Sequence, residues 1–358
     1  MRIALDAMGG DRAPAVPVAG AVQAARLYGI EVPLVGRPEV IQAELAKHDT
    51  RGLSLPIVPA SQVVEMTDHV DAVRARKDAS MNVGARLVRR GEADGFVSAG
   101  HSGAVMAAAL FNIGRIPGIK RPALGTVYPT IPGHCFVLDV GANTECTPLY
   151  LLQFALMGSI FMEKIYGLPR PTVALLSNGE EEDKGNLLVR QATPLLKASG
   201  LNFIGNAEGK DVPKGLADVI VTDGFSGNVL IKLSEGLVVA LGLIIVNELK
   251  AGVVGKLALL LAVPGAILAL PTLLLSLPAL RRIVRRFYYA EFGGAHLLGV
   301  NGPVVVAHGR SNVKAIQNAI RVCKESVERD VVGTIREGVK DLPGGEWPQR
   351  ASQYVDHI

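Results

Sequence analysis

The residues best suited to chemistry lie in glycine-rich segments that directly follow runs of aliphatic residues. Two of these segments share a G-x-S-G pattern, at 100–103 and 224–227, and two more occupy 8–11 and 141–143. Glycine lets the backbone approach a ligand closely, and the unpaired N–H groups of a following helix attract an anion. A single segment of this kind often serves turn geometry alone. Several in one chain indicate a site for a phosphate-type anion.

The most polar of these segments runs from 177 to 186 and contains four acidic residues in a row, Glu180 to Asp183. Such carboxylates either hold a divalent metal ion or form a solvated loop that leads into an acidic helix start. The sequence leaves both interpretations open. Lys184 follows them directly. A lysine at this place either reaches a phosphate or polarises a carbonyl, or is an ordinary surface residue.

Familiar catalytic patterns do not fit these segments. Ala104 and Asn228 occupy the fifth position of the two G-x-S-G segments, so a hydrolase nucleophile elbow is not supported. The sequence has no G-x-x-x-x-G-K-[ST], which argues against a P-loop NTPase, and no G-x-G-x-x-G follows the first aliphatic run. His101 is either a site residue or a polar residue that the loop backbone satisfies.

The elements that position these segments alternate between aliphatic strands and helices. Near-continuous apolar strands in this alternation predict an α/β fold with a mainly parallel sheet, covered on both faces. Because the loops after parallel strands gather at one edge of a sheet, we expect the glycine-rich segments to meet there. We predict one α/β/α catalytic domain over residues 1–358, with an apolar helical arm at 251–288.

Composition argues against several function classes. The net charge of the 358 residues is only +4, so a nucleic-acid partner is not indicated. Cys135, Cys146 and Cys323 stand far apart, which supports neither a zinc site nor a disulfide framework and is typical of a reducing compartment. The first aliphatic run starts at once, with no signal peptide before it. We therefore expect a cytoplasmic protein.

A series of short motifs resembles the bacterial phosphate acyltransferases of phospholipid synthesis, the acyl-carrier-protein:phosphate acyltransferases. The resemblance keeps its order from residue 1 to about residue 325. Each motif is modest by itself, but together they are highly specific. The motifs occupy residues 6–11, 98–104, 139–143, 178–186, 205–209, 222–228, 289–295 and 299–302.

The resemblance implies a reaction and a fold. A fatty acyl group passes from the thioester of acyl carrier protein to inorganic phosphate, which gives acyl phosphate. A membrane acyltransferase then uses that product to acylate glycerol 3-phosphate. The implied fold is a Rossmann-like α/β/α sandwich similar to phosphotransacetylases and isocitrate-type dehydrogenases, and the implied assembly is a homodimer. No metal, nicotinamide or flavin cofactor is expected.

The resemblance also implies roles for single residues. Phosphate dianion is itself a competent nucleophile, so the enzyme must align two reactants and stabilise the developing oxyanion. Lys184 neutralises charge on phosphate or on the tetrahedral intermediate, and Asn228 donates a hydrogen bond to the thioester oxygen. The residues expected to bind phosphate or substrate are Asp6, Gly9, Gly10, Ser98, Gly100, His101, Ser102, Gly103, Asn143, Asn178, Asn186, Asp223, Ser226 and Gly227.

Residues 257–280 form an uncharged stretch of 24 residues, long enough for a transmembrane helix. Pro264, Pro271 and Pro278 interrupt it, and each proline removes a backbone donor. We therefore expect short broken helices at the dimer edge that dip into one leaflet, while a buried dimer core is the alternative. The arginines within 281–286 either dock the acidic carrier protein or face lipid headgroups. Transient contact with the inner face of the plasma membrane, and with the membrane glycerol-3-phosphate acyltransferase, follows as an expectation.

Two other function classes stay open at this point. An NAD-dependent decarboxylating dehydrogenase uses the same architecture, but it needs an adenosine pocket and a set of metal-binding aspartates that the sequence does not display. A non-catalytic membrane scaffold is suggested by residues 257–280. Product analysis distinguishes the three classes, because only the acyltransferase forms acyl phosphate and only the dehydrogenase forms NADH.

Overall fold

The computed structural model describes residues 1–251 and 293–342. Its centre is one sheet of eleven strands in the order β3-β2-β1-β4-β11-β10-β5-β6-β9-β7-β8. The strands are β1 (Ile3–Asp6), β2 (Leu34–Gly36), β3 (Ile57–Pro59), β4 (Gly95–Ser98), β5 (Ala123–Pro129), β6 (His134–Leu138), β7 (Thr172–Ser177), β8 (Asn202–Glu208), β9 (Val219–Val221), β10 (Ala295–Leu298) and β11 (Val304–Val306).

Helices connect and flank these strands. Short strands rich in valine, isoleucine and leucine alternate with helices along the chain, as the sequence pattern predicts. The helices are α1 (Ala15–Tyr28), α2 (Pro38–Leu45), α3 (Ala72–Ala75), α4 (Ser80–Arg89), α5 (Ser102–Asn112), α6 (Pro148–Tyr166), α7 (Leu187–Lys197), α8 (Gly224–Ala251), α9 (Val313–Glu328) and α10 (Val331–Asp341). The predicted α/β fold with a mainly parallel sheet is confirmed.

Strand direction reverses in the middle of the sheet. Strands β1, β2, β3, β4 and β11 are parallel to one another. Strand β10 is antiparallel to both β11 and β5, and β5 is antiparallel to β6. Strands β6, β9, β7 and β8 are again parallel, so they run opposite to the first group. The two halves of the sheet therefore have their carboxyl ends at opposite edges.

This reversal corrects one expectation from the sequence. The glycine-rich segments after β1 and β4 lie at one edge of the sheet, and those after β6, β7 and β9 lie at the other. They do not all gather at one edge, because three successive antiparallel pairings in the centre of the sheet leave the second group of parallel strands running opposite to the first.

Each half of the sheet has its own hydrophobic core. Ile3, Val97 and Ile316 belong to the first core, and Phe154 and Phe161 belong to the second. Each of these side chains is almost completely buried, and each such burial stabilises the fold by ~1.5–3 kcal/mol.

The imidazole of His296 on β10 packs against aromatic rings of the second core. The His296 ring centroid is 4.5 Å from that of Phe161 and 6.5 Å from that of Phe136. Burial lowers the pKa of His296 to about 3, and the positive charge of Arg321 acts in the same direction. The imidazole is therefore neutral at ordinary pH and serves packing.

The chain forms two compact units: one joins Met1–Gly227 and Tyr289–Ile358, and the other is Asn228–Tyr288. The second unit thus begins earlier than the arm expected at 251–288, and a single domain over residues 1–358 stays a prediction. Within it the structure describes only residues 228–251 of helix α8. The predictions for residues 257–280 and for the arginines within 281–286 lie outside the described residues.

Helix α8 is unusually apolar on its surface. Leu233 is 67% exposed, and Val239 and Ile244 are also exposed. Over Gly224–Ile244 the helix is long and apolar enough, by length and composition alone, to cross a membrane. A single helix that passes this test is weak evidence, because helices of soluble proteins pass it as well.

Candidate functional site

A cleft of about 440 Å³ opens at the carboxyl ends of β7 and β9, on the edge that belongs to the second half of the sheet. One part of its lining is polar and comes from the loops after these strands. The polar residues are Ser177, Asn178, Asn186, Thr222, Asp223 and Ser226. The other part is apolar and comes from the strand ends and from helices α6 and α7. The apolar residues are Leu151, Leu176, Leu188, Val189 and Val221.

Asn178 and Asn186 present fixed donors to this cleft. The Asn178 Oδ1 atom accepts a hydrogen bond from the Gly185 N–H at 2.8 Å. The Asn186 Oδ1 atom accepts from the Val189 N–H at 3.0 Å and so caps helix α7. Because each side-chain oxygen is held by the backbone, the orientation of each amide is set and its NH₂ group remains as a donor. The two residues therefore bring uncharged donors to the helix terminus that faces the cleft.

Asp223 and Ser226 form the second polar wall of the cleft. The two carboxylate oxygens of Asp223 accept from the Ser226 N–H at 2.9 Å and from the Ser226 Oγ–H at 2.8 Å. Helix α8 begins here at Gly224, whose N–H donates to the Asn143 carbonyl at 2.7 Å. The start of α8 is thereby anchored to the loop that follows β6.

Asp139 organises that loop from a fully buried position. Its carboxylate accepts hydrogen bonds from the backbone N–H groups of Leu124, Gly141, Ala142 and Asn143, and from the Asn143 side chain. Burial raises the pKa of Asp139 above the ordinary aspartate value, and the hydrogen bonds from the loop act in the opposite direction.

The side chain of Asn143 is also fixed by hydrogen bonds, one of which goes to Asp139. Its Nδ2 atom also donates to the Pro122 carbonyl at 2.8 Å, so its side chain joins two loops together and does not line the cleft. The substrate-binding role predicted for Asn143 stays a prediction. No role is predicted for Asp139 from the sequence, although it lies at a strand end, two residues before the G-x-N motif.

The other edge of the sheet carries the remaining predicted residues. Asp6, at the end of β1, accepts hydrogen bonds from the Met8 N–H at 3.1 Å and from the Ser98 Oγ–H at 2.7 Å. Ser98 Oγ in turn accepts from the Gly100 N–H. Burial raises the pKa of Asp6, and hydrogen bonds from Ser80 and Ser98 act against this.

Only glycine fits at position 9, because a Cβ there would lie 2.8 Å from both Asp6 Oδ2 and the Gly100 nitrogen.

His101 has a structural contact at this edge. Its Nδ1 atom accepts from the Ala104 N–H at 3.2 Å and caps helix α5, which begins at Ser102. Gly10 and Gly103 belong to the same group of loops: Gly10 has φ +99°, and a Cβ at Gly103 would lie 3.2 Å from the His101 ring. A further role of His101, Ser102 or Gly103 toward substrate stays a prediction.

The two edges repeat one arrangement. At each of them a buried aspartate ends a strand, and the parallel neighbour of that strand leads into a G-x-S-G segment that starts a helix. Asp6 stands next to segment 100–103, and Asp139 stands next to segment 224–227. The two G-x-S-G segments therefore occupy equivalent places at the two edges of the sheet. The predicted site residues are divided between these two edges.

Lys184 lies in the loop that borders the cleft, outside the set of residues that line it. Its side chain is exposed and packs beside Gly179, where a Cβ would lie only 2.6 Å from Lys184 Cγ. Asn228 follows Gly227 directly on helix α8 and is the first residue of the second unit. Their catalytic roles stay predictions.

Within the described residues, lysines neutralise an acidic cluster that includes Glu180 of the acidic run. Glu180, Glu208 and Asp211 bring their carboxylate oxygens within 4.8 Å of one another. Lys210 pairs with Glu208 and lies 3.9 Å from Glu180, and Lys214 pairs with Asp211 at 2.9 Å. These ammonium groups supply the positive charge that a cation would bring, which favours the solvated-loop interpretation. That the enzyme needs no metal stays a prediction.

Comparison with known proteins decides the family. Residues 1–334 match the sequence profile described as fatty acid synthesis protein. A phosphate acyltransferase of Heliobacterium modesticaldum is 49% identical over 341 residues, which cover 95% of this chain and 98% of the relative. A phosphate acyltransferase of Geobacter sulfurreducens is 46% identical over 92% of both chains. The chain belongs to the phosphate acyltransferase family.

A solved structure supports the same fold for this phosphate acyltransferase. The EutD phosphotransacetylase from Staphylococcus aureus superposes with a TM-score of 0.55 over 91% of this chain and 94% of its own, at 17% identity. The expected similarity to phosphotransacetylases is thus confirmed for the fold. Family membership makes the protein an acyltransferase of fatty acid and phospholipid synthesis, which fits neither the dehydrogenase nor the non-catalytic scaffold.

Proposed function

We propose that the protein transfers a fatty acyl group from the thioester of acyl carrier protein to inorganic phosphate and releases acyl phosphate. The observation that carries this proposal is the cleft at β7 and β9, whose lining combines the uncharged donors of Asn178 and Asn186 with an apolar wall. A phosphate and a thioester carbonyl need such donors, and a fatty acyl chain needs the wall. The family resemblance of motifs 178–186 and 222–228 supports the same assignment.

The chemistry needs alignment rather than a covalent nucleophile. An oxygen of hydrogen phosphate attacks the thioester carbon, and the carbonyl π electrons move to oxygen. When the tetrahedral intermediate collapses, the C–S bond breaks and the sulfur takes up the proton that the phosphate loses. Positioning the two reactants and stabilising the oxyanion are therefore the main contributions of the protein.

The described residues suit these two tasks. Asn178, Asn186 and the first turn of helix α7 line the cleft, and amide donors and a helix N-terminus favour a phosphate there. Lys184, in the loop between these asparagines, neutralises the growing negative charge. Asn228 keeps the role that the family resemblance suggests for it, as a donor to the thioester oxygen.

Product analysis tests the proposed reaction. Purified protein, palmitoyl acyl carrier protein and inorganic phosphate should release free carrier thiol and an equal amount of acyl phosphate, which hydroxylamine traps as the hydroxamate. Release should require phosphate. Thiol release that is independent of phosphate would indicate a thioesterase, and the absence of both products would reject the proposal.

We further propose a cytoplasmic homodimer that contacts the inner face of the plasma membrane and delivers acyl phosphate to the membrane glycerol-3-phosphate acyltransferase. The support is the uncharged stretch 257–280 and the insolubility of the product.

Changing Leu260, Leu268 and Leu274 to Asp should move the protein from the membrane fraction to the soluble fraction while acyl transfer in solution continues. Unchanged membrane retention would contradict this proposal, and loss of dimerisation would favour the buried dimer core.

A further inference from the structure

The apolar side of the cleft is formed by residues that lie outside the polar motifs 178–186 and 222–228. Leu151 comes from the first turn of helix α6, Leu188 and Val189 come from the first turn of helix α7, and Val221 ends β9. Leu151, Val189 and Val221 are almost completely buried members of the second hydrophobic core. The cleft thus opens directly onto the core of this half of the molecule.

Leu188 differs from its neighbours in exposure. It is half-buried, packs against the same core and lines the cleft. The preceding residue, Leu187, is 54% exposed and extends an apolar surface outward from the start of helix α7. Asn186, which also lines the cleft, comes directly before these two leucines. A ligand with a polar head at Asn186 therefore has the apolar side chain of Leu188 close by.

We infer that Leu188, together with Leu151 and Val189, contacts the methylenes of the acyl chain, so that the cleft selects fatty acyl groups over very short ones. This inference rests on the proposed function. When the carbonyl of an acyl group lies at the polar residues of the cleft, a long chain extends along these apolar side chains and a butyryl group makes fewer contacts with them. Each methylene that leaves water for apolar contact changes kcat/KM about fourfold, which corresponds to ~0.8 kcal/mol.

The experiment measures kcat/KM of the full-length enzyme with butyryl, octanoyl and palmitoyl acyl carrier protein. Leu188→Ala should lower the octanoyl and palmitoyl values about tenfold and the butyryl value less than about threefold, because fewer methylenes lose contact. Leu188→Asn, with similar size but a polar head, should enlarge the difference. Leu188→Met should retain the profile of the unchanged enzyme. The KM for phosphate should stay within about twofold in all three variants.

Leu195 provides the matched control. It lies on the same helix and is half-buried against the same core, but it does not line the cleft. Leu195→Ala should lower kcat/KM by a similar factor for every chain length. Equal losses at all lengths with Leu188→Ala, or the same length profile with Leu195→Ala, would overturn the inference while acyl phosphate formation continues. If the unchanged enzyme forms no acyl phosphate with any donor, the proposed function fails and this inference fails with it.

Discussion

Replacing Gly227 with alanine should destabilise the protein by at least ~3 kcal/mol and abolish acyl transfer. A Cβ at this position would lie 1.9 Å from the Asp139 carbonyl oxygen and 3.0 Å from Thr222 Cγ2. The Asp139 oxygen belongs to the backbone of a completely buried residue, so it cannot rotate away as a flexible side chain would. The start of helix α8 would have to shift, together with the Asp223–Ser226 pair that lines the cleft. Such forced shifts belong to the most destabilising class of single substitutions.

Urea unfolding and the acyl phosphate assay measure this effect. Gly236→Ala is the matched control, because Gly236 lies on the same helix and a Cβ there would meet nothing within 4 Å. Alanine in a helix interior is favoured over glycine by ~0.5–1 kcal/mol, so this variant should be unchanged or slightly more stable. Near-normal stability and activity of Gly227→Ala would contradict the close approach of α8 to Asp139.

Replacing Lys184 with alanine should lower kcat/KM at least ~100-fold, the scale of loss when a donor to an oxyanion is removed. The attacking phosphate and the tetrahedral intermediate both carry negative charge, while the lining of the cleft includes the acidic Asp223 and no lysine or arginine among the described residues. A nearby ammonium is therefore needed to balance that charge. We expect Asn228→Ala to have a similar effect, through loss of a hydrogen bond to the thioester oxygen.

Folding should be unaffected by the Lys184 change, because this side chain is exposed. Lys197→Ala is the control: Lys197 is also an exposed lysine and pairs with Glu182 of the same acidic run, but it lies at the end of helix α7. It should retain activity within about threefold, since exposed ion pairs contribute little. If Lys184→Ala and Asn228→Ala both form acyl phosphate at near-normal rates, their catalytic assignment is wrong.

Much of the local structure could be read from the chain directly. The aliphatic runs at residues 3–6 and 172–176 lie in strands β1 and β7, and the segments after them lead into helices α1 and α7. The repetition of the G-x-S-G pattern at 100–103 and 224–227 is also evident from the sequence alone. These features depend on neighbours in sequence: backbone conformation at glycine, helix capping and apolar periodicity act over a few residues. For the same reason the ordered motifs were sufficient to identify the family.

The position of each motif in space was decided by distant contacts. Three successive antiparallel pairings, β11 with β10, β10 with β5 and β5 with β6, reverse half of the sheet. The pairing of β10 with β5 joins residues more than a hundred positions apart. This reversal separates Asp6 and His101 from Asn178 and Asp223, although their loops look alike in sequence. The short connections between β5 and β6 and between β10 and β11 require antiparallel pairs. No local pattern predicts that β10 pairs with β5, because that pairing is set by the packing of whole elements.

Packing also assigned the roles that the residue types left open. His101 caps helix α5, and Asn143 joins two loops. Lysines from another loop neutralise the cluster that Glu180 forms with Glu208 and Asp211. The apolar side of the cleft needs Leu151 from helix α6 next to Leu188 from helix α7. The sequence by itself determined the family and the types of chemistry available to the protein. Only the tertiary structure decided which of those residues share a cleft, because proximity in a folded chain depends on non-local burial and pairing.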